Sequence, residues 1–127
     1  MKNYLLIFIG GGAGSLLRFF ISTWFNPLLT VFPLGTFIAN TLSCFVLGLT
    51  VGLLQSSYSG NTYLQPFLIT GICGGFSTFS TFSNETLTLF RAENYTFGLL
   101  NILLNVTLCL IFIILGMKSA RLVGGWW

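Results

Sequence analysis

Four apolar runs, residues 3–25, 34–54, 64–89 and 96–117, take up most of the chain and leave only short connections between them. A helix needs about 20 apolar residues to cross a bilayer. Each run is therefore long enough to span, and residues 1–127 read as a single four-span membrane domain. Charge agrees with this. Five lysines and arginines and two glutamates make 6 % of the residues, against about 25 % in a soluble domain. A water-facing surface cannot be built from seven charges. The fold class expected is an all-α membrane protein.

The third run differs from the others. From Gly71 to Glu85 it reads GICGGFSTFSTFSNE, with Gly71, Gly74 and Gly75 followed by Ser77, Thr78, Ser80, Thr81 and Ser83. Glycine weakens a helix by about 1 kcal/mol, and hydroxyls offer the backbone competing hydrogen bonds. Opened backbone at membrane depth is tolerated only inside protein or beside a polar cavity, and broken helices are one way to build an ion site. The pattern predicts a broken third helix at the heart of an ion pathway. Phe76, Phe79 and Phe82 recur every third residue through it.

The residue inventory excludes much chemistry. There is no histidine and no aspartate, and Glu85 and Glu93 are the only carboxylates. Hydrolytic, zinc and proton-relay mechanisms lack their usual groups, so an enzyme is not expected. Cys44, Cys73 and Cys109 each fall inside a span, without C-x-x-C spacing, and read as small buried hydrophobes. The net charge of +3 is too small and scattered to suggest nucleic acid. Lys2 ahead of an apolar run could open a signal peptide, but no A-x-A pattern follows, so residues 3–25 are expected to be a retained helix.

Polar residues mark each span. Gly10 and Gly14 form a G-x-x-x-G pair suited to close helix approach, as do Gly48 and Gly52. Arg18, near the end of the first span, is open between an interfacial anchor and an anion-attracting vestibule charge. Asn26-Pro27 and Phe32-Pro33 bound the first connection, and Gln55 to Thr62 reads as a polar turn. Asn40 is a buried amide that needs partners, either as interhelical glue or as a pore donor. Asn101 and Asn105, four apart, share one face of the fourth span and form either a polar track or glue. The tail, with Lys118, Arg121, Trp126 and Trp127, suits a membrane interface.

Orientation is nearly undecided. Lys2, Lys118 and Arg121 would share one side and Arg18 and Arg91 the other, three against two. By the positive-inside rule so weak a bias permits insertion both ways. Oppositely inserted copies could then pair as an inverted dimer, since the chain carries no internal repeat.

The segment GGFSTFSTFSNE with Gly71 and Cys73, the glycine-rich first span with Arg18, and the GTFIAN stretch ending at Asn40 closely resemble the Fluc (CrcB) fluoride channels. The resemblance covers most of the chain. It implies a dual-topology homodimer in the bacterial plasma membrane that passively exports cytoplasmic fluoride and relieves its toxicity, through two antiparallel pores at the subunit interface. It further implies a structural sodium ion at that interface, held by the backbone carbonyls of Gly74 and Ser77. Pore residues carried over are Phe79, Phe82 and Asn40, with Glu85 and Arg18 in the vestibules. Asn105 and Thr107 stand where the family tends to use serine and threonine in the fourth span.

Physical chemistry suits these residue types to an anion. Fluoride is small and strongly hydrated, so a pore must replace its water with hard donors. The amide of Asn40 and the hydroxyls of Ser80 and Thr81 can donate, and a phenyl ring presents a positive edge. Selectivity against chloride would come from a narrow pore and the field of its donors. Two other readings compete: a four-span proton-coupled exporter, which needs an embedded carboxylate, and a small structural membrane subunit.

Overall fold

The computed structural model describes residues 1–29, 31–56 and 63–124. Most of the polar turn expected at 55–62 and the terminal Gly125–Trp127 of the expected anchor lie outside the described residues. Among those described, the structure is helical, with no strand. Helix α1 spans Lys2–Phe25, and a 3₁₀ turn, Asn26–Leu28, follows it. Pro27 suits that turn, because a missing N–H costs nothing in the first turn of a helix. Asn26 Oδ1 accepts the N–H of Gly35, 2.8 Å away, and pins this connection to the start of α2, Leu34–Ser56.

Next come a π-helical segment, Gln65–Cys73, and one α-turn, α3, Gly74–Phe76. Ser77 and Thr78 are extended, and α4, Phe79–Arg91, starts afresh. Helix α5, Tyr95–Gly124, closes the bundle with 30 residues, about 45 Å at 1.5 Å per residue.

Among the described residues, α1, α2 and α5 are long and apolar enough to cross a membrane, and the third apolar run is not one of them. The physical reason is local. The run is divided at Ser77–Thr78, and α4 is amphipathic, with Ser80, Ser83, Asn84, Leu87 and Thr88 exposed and Phe82, Thr86 and Leu89 buried.

Two close packings fix the bundle. A methyl group at Gly14 would overlap the carbonyl oxygen of Ile72, so α1 lies with its backbone against the π-helical segment and α3. Similarly, Gly48 of α2 leaves no room for a side chain beside the carbonyl of Ile113, and α2 packs most extensively on α5. The first glycine pair thus meets the third run, and the second meets the fourth.

The turn after α4 satisfies its carbonyls by two backbone bonds, Asn94 N–H to Leu89 O at 2.9 Å and Glu93 N–H to Phe90 O at 3.1 Å. This pattern requires a left-handed residue at the second position past the helix, usually glycine. Here Glu93 takes it, with φ of 59°.

Candidate functional site

The break between α3 and α4 is the centre of the site. In a continuous helix the Thr78 N–H would bond the carbonyl of Gly74, four residues back. Instead it donates to Asn40 Oδ1 on α2, at 2.8 Å. The Thr78 hydroxyl accepts the N–H of Thr81 at 3.2 Å and so caps α4. It also donates to Thr81 Oγ1 at 3.0 Å and lies 3.2 Å from Ser80 Oγ. Upstream, the Cys73 carbonyl accepts three donors at 3.0 Å: the N–H and hydroxyl of Ser77 and the hydroxyl of Ser43. The Thr78 N–H turned aside by the break is thereby given a specific partner on α2, as a low-dielectric site demands.

From Asn40 an amide seam crosses the bundle. Its Nδ2 donates to Asn105 Oδ1 at 3.3 Å, and Asn105 Nδ2 donates to Oδ1 and the carbonyl of Asn101 at 2.8 and 2.9 Å. Asn101 Nδ2 then donates to Thr86 Oγ1 at 2.9 Å, whose hydroxyl bonds the carbonyl of Phe82. The seam thus links Thr78, at the start of α4, to Thr86, about two turns further along it. Asn101, only 1 % exposed, is its keystone. Its spacing from Asn105 marked the face, but nothing in the sequence pointed to Thr86 as its partner.

A cavity of about 240 Å³ opens where seam and break meet, lined by Asn40, Ser77, Thr78, Phe79, Phe82 and Asn105, with Val106 and the thiols of Cys44 and Cys109. The rings of Phe79 and Phe82 are 5.6 Å apart and inclined at 46°. Phe82 is buried, whereas Phe79 is 80 % exposed on the surface of the chain. Of the residues anticipated for a pore, Phe79, Phe82, Asn40 and Asn105 therefore come together. Ser80 and Thr81 adjoin them through the Thr78 hydroxyl. Thr107 does not: it is exposed and lines no part of this cavity.

The charged candidates lie apart from it. Arg18, left open by the sequence, has a definite partner: from α1 its Nε donates to the carbonyl of Gly75 at 3.2 Å. Glu85 borders a second cavity of about 270 Å³, with Asn26, Phe32, Pro33 and Thr88 among its walls. Its Oε1 accepts the Thr36 hydroxyl at 2.7 Å, while Oε2 is buried without a hydrogen-bond partner among the described residues.

Three cysteines were expected to be buried hydrophobes, and only Cys73 is fully so. Cys44 and Cys109 are half-buried and face the first cavity. Gly74 is exposed beside the break, its helical donor diverted to Asn40, and Ser77 is extended.

Long apolar helices around a divided third segment, with a polar seam leading to its break, define a multi-pass membrane protein. Comparison with known proteins makes the assignment specific. Residues 5–117 match the family described as CrcB-like protein, Camphor Resistance (CrcB), and the chain belongs to that family. It is 44 % identical over 124 residues to the fluoride-specific ion channel FluC of Ruminiclostridium cellulolyticum, covering 97 % of this chain and 95 % of the relative. The FluC of Pyrococcus abyssi is 42 % identical over 121 residues, 95 % of this chain and 98 % of that protein. That of Elusimicrobium minutum is 37 % identical over 125 residues, 97 % of each.

Proposed function

We propose that this chain is the subunit of a passive, fluoride-selective channel of the cell membrane, which lets cytoplasmic fluoride leave down its gradient. One observation carries the reading. A cavity at a helix break joins two phenylalanine rings to an amide seam, in a chain that matches proteins named fluoride-specific ion channels along nearly its whole length.

The chemistry required is donation to a small hard anion. Asn40 has two N–H hydrogens and uses one on Asn105, leaving the second for the cavity. The edges of Phe79 and Phe82 carry the positive side of the ring quadrupole. The Ser80 and Thr81 hydroxyls continue the donors along α4.

The active unit in this reading is a dual-topology homodimer of four-span chains. Ser80, Ser83, Asn84 and Phe79 are exposed on α4, and polar groups at membrane depth need protein rather than lipid against them. A second, inverted copy covers this face and completes two antiparallel pores. The nearly balanced charge of the loops supports insertion both ways.

A central sodium ion fits the same break. The carbonyls of Gly74 and Ser77 would hold it, with the matching pair from the second copy, because the Gly74 oxygen has lost its helical donor. When bound, the ion supplies a fixed positive charge that offsets the cost of an anion at the midplane.

The test is efflux from liposomes containing the purified protein, with fluoride and chloride compared at matched gradients. Rapid fluoride loss without chloride loss or proton coupling is expected. A folded protein that passes neither ion would overturn the proposal. Adding two or three lysines to one side should fix the orientation and abolish flux until an oppositely biased copy is supplied. Retained flux from a single orientation would remove the inverted dimer.

A further inference from the structure

The cavity at the break also carries chemistry that anion conduction does not use. Cys44 on α2 and Cys109 on α5 both line it and stand opposite one another: each lies about one turn beyond the hydrogen-bonded pair Asn40 and Asn105 and one turn before the close contact of Gly48 with Ile113. Both are free and half-buried, so the cavity gives access to them. The helices that bear them cannot easily separate, since Gly48 is pressed against the Ile113 carbonyl and Gly116 against that of Phe45. The two sulfurs are thus presented as a fixed pair.

We propose that Cys44 and Cys109 form a two-thiol site for a soft divalent cation of the mercuric class, and that filling it closes the cavity to ions. The second half of this statement rests on the channel reading. The reaction is a proton-for-metal exchange without oxidation or reduction. Two S–H bonds and the ion's two bonds to chloride or water break, two Hg–S bonds form, and the displaced ligands and both protons leave to water. The donor set selects the ion. Soft thiolates favour soft metals, and two sulfurs complete the linear coordination of mercury(II). Zinc requires four ligands, and no group of three or more His, Cys, Asp or Glu is found among the described residues. Charge selects further. A divalent ion on two thiolates is neutral, whereas silver(I) or copper(I) would leave a net anion, which is costly to hold in a low-dielectric interior.

The experiment uses the full-length protein and mercuric chloride as probe. Mercury retained per chain is measured after challenge with excess monothiol, which strips a single Hg–S bond but not a chelate. Wild type and Cys73→Ser should each keep one mercury, and Cys44→Ser and Cys109→Ser should each lose it. In wild type, prior mercury should also protect Cys44 and Cys109, but not Cys73, from alkylation mapped by peptide mass; this reading holds even if a serine variant does not fold.

Mercury retained equally by either single variant, or released from wild type by monothiol, would overturn the site. Flux is read separately, each protein against its own untreated rate. Mercury should remove nearly all wild-type efflux, and a dithiol should restore it. A stable chelate with undiminished efflux would refute closure while leaving the site standing. The binding arm uses no flux, so it stays decisive if the channel reading fails.

Discussion

Replacing Asn40 by leucine tests whether the helix break is held open from outside the third segment. Two hydrogen bonds disappear, that from Thr78 N–H to Oδ1 at 2.8 Å and that from Nδ2 to Asn105 Oδ1 at 3.3 Å. Each leaves a buried polar group without its partner, at about 1–3 kcal/mol. The upper sum overstates the loss, because the Thr78 N–H can turn back to the Gly74 carbonyl and rebuild a helical bond. That recovery straightens the segment, so the expected change is about 2–3 kcal/mol of stability with near-complete loss of fluoride flux.

Reversible unfolding in mixed micelles and liposome efflux measure the two effects on the same preparation. Asn40→Asp keeps an acceptor for Thr78 but sets a carboxylate against the Asn105 carbonyl oxygen. It should preserve the break better than leucine while still losing flux. Wild-type stability and flux in Asn40→Leu would refute the argument, since the clamp would then be incidental.

Phe79→Ile and Phe82→Ile should both abolish fluoride efflux from a folded protein. Because Phe79 is exposed on the chain and Phe82 buried, only the second should also lower subunit stability, by about 1 kcal/mol or more, read by unfolding. Gly14→Ala drives a methyl into the Ile72 carbonyl and should cost about 2 kcal/mol or more, seen as a lower melting temperature and loss of monodisperse protein. Glu93→Gly removes a side chain from a left-handed position and should stabilise by about 1 kcal/mol with flux unchanged; a lower melting temperature would show that the Glu93 side chain has a role of its own.

How legible the site was depends on the range of the interaction concerned. Local composition revealed the Gly71–Glu85 segment, because glycines and hydroxyls weaken a helix wherever they occur. Spacing revealed that Asn101 and Asn105 share a face and that Gly10 and Gly14 admit a close neighbour. Arg18 stayed undecided between two roles, since its partner, the Gly75 carbonyl, is 57 residues away. Cys44 and Cys109 looked dispersed and inert, because 65 residues separate a pair that the packing of α2 on α5 brings together. Thr107 looked like a neighbour of Asn105, yet it is exposed and off the cavity: two residues along a helix turn a side chain by about 200°.

By itself, then, the sequence determined the solvent and the weak point: too few charges for water, four apolar runs, and one run unable to remain a single helix. Only the tertiary structure decided where that run divides. Several positions between Gly71 and Ser83 could have opened at similar local cost. The division falls at Ser77–Thr78 because Asn40, 38 residues earlier, meets the Thr78 N–H there, and because Arg18 takes up the carbonyl of Gly75. A backbone group at membrane depth can leave its helix only where other protein or a polar cavity receives it.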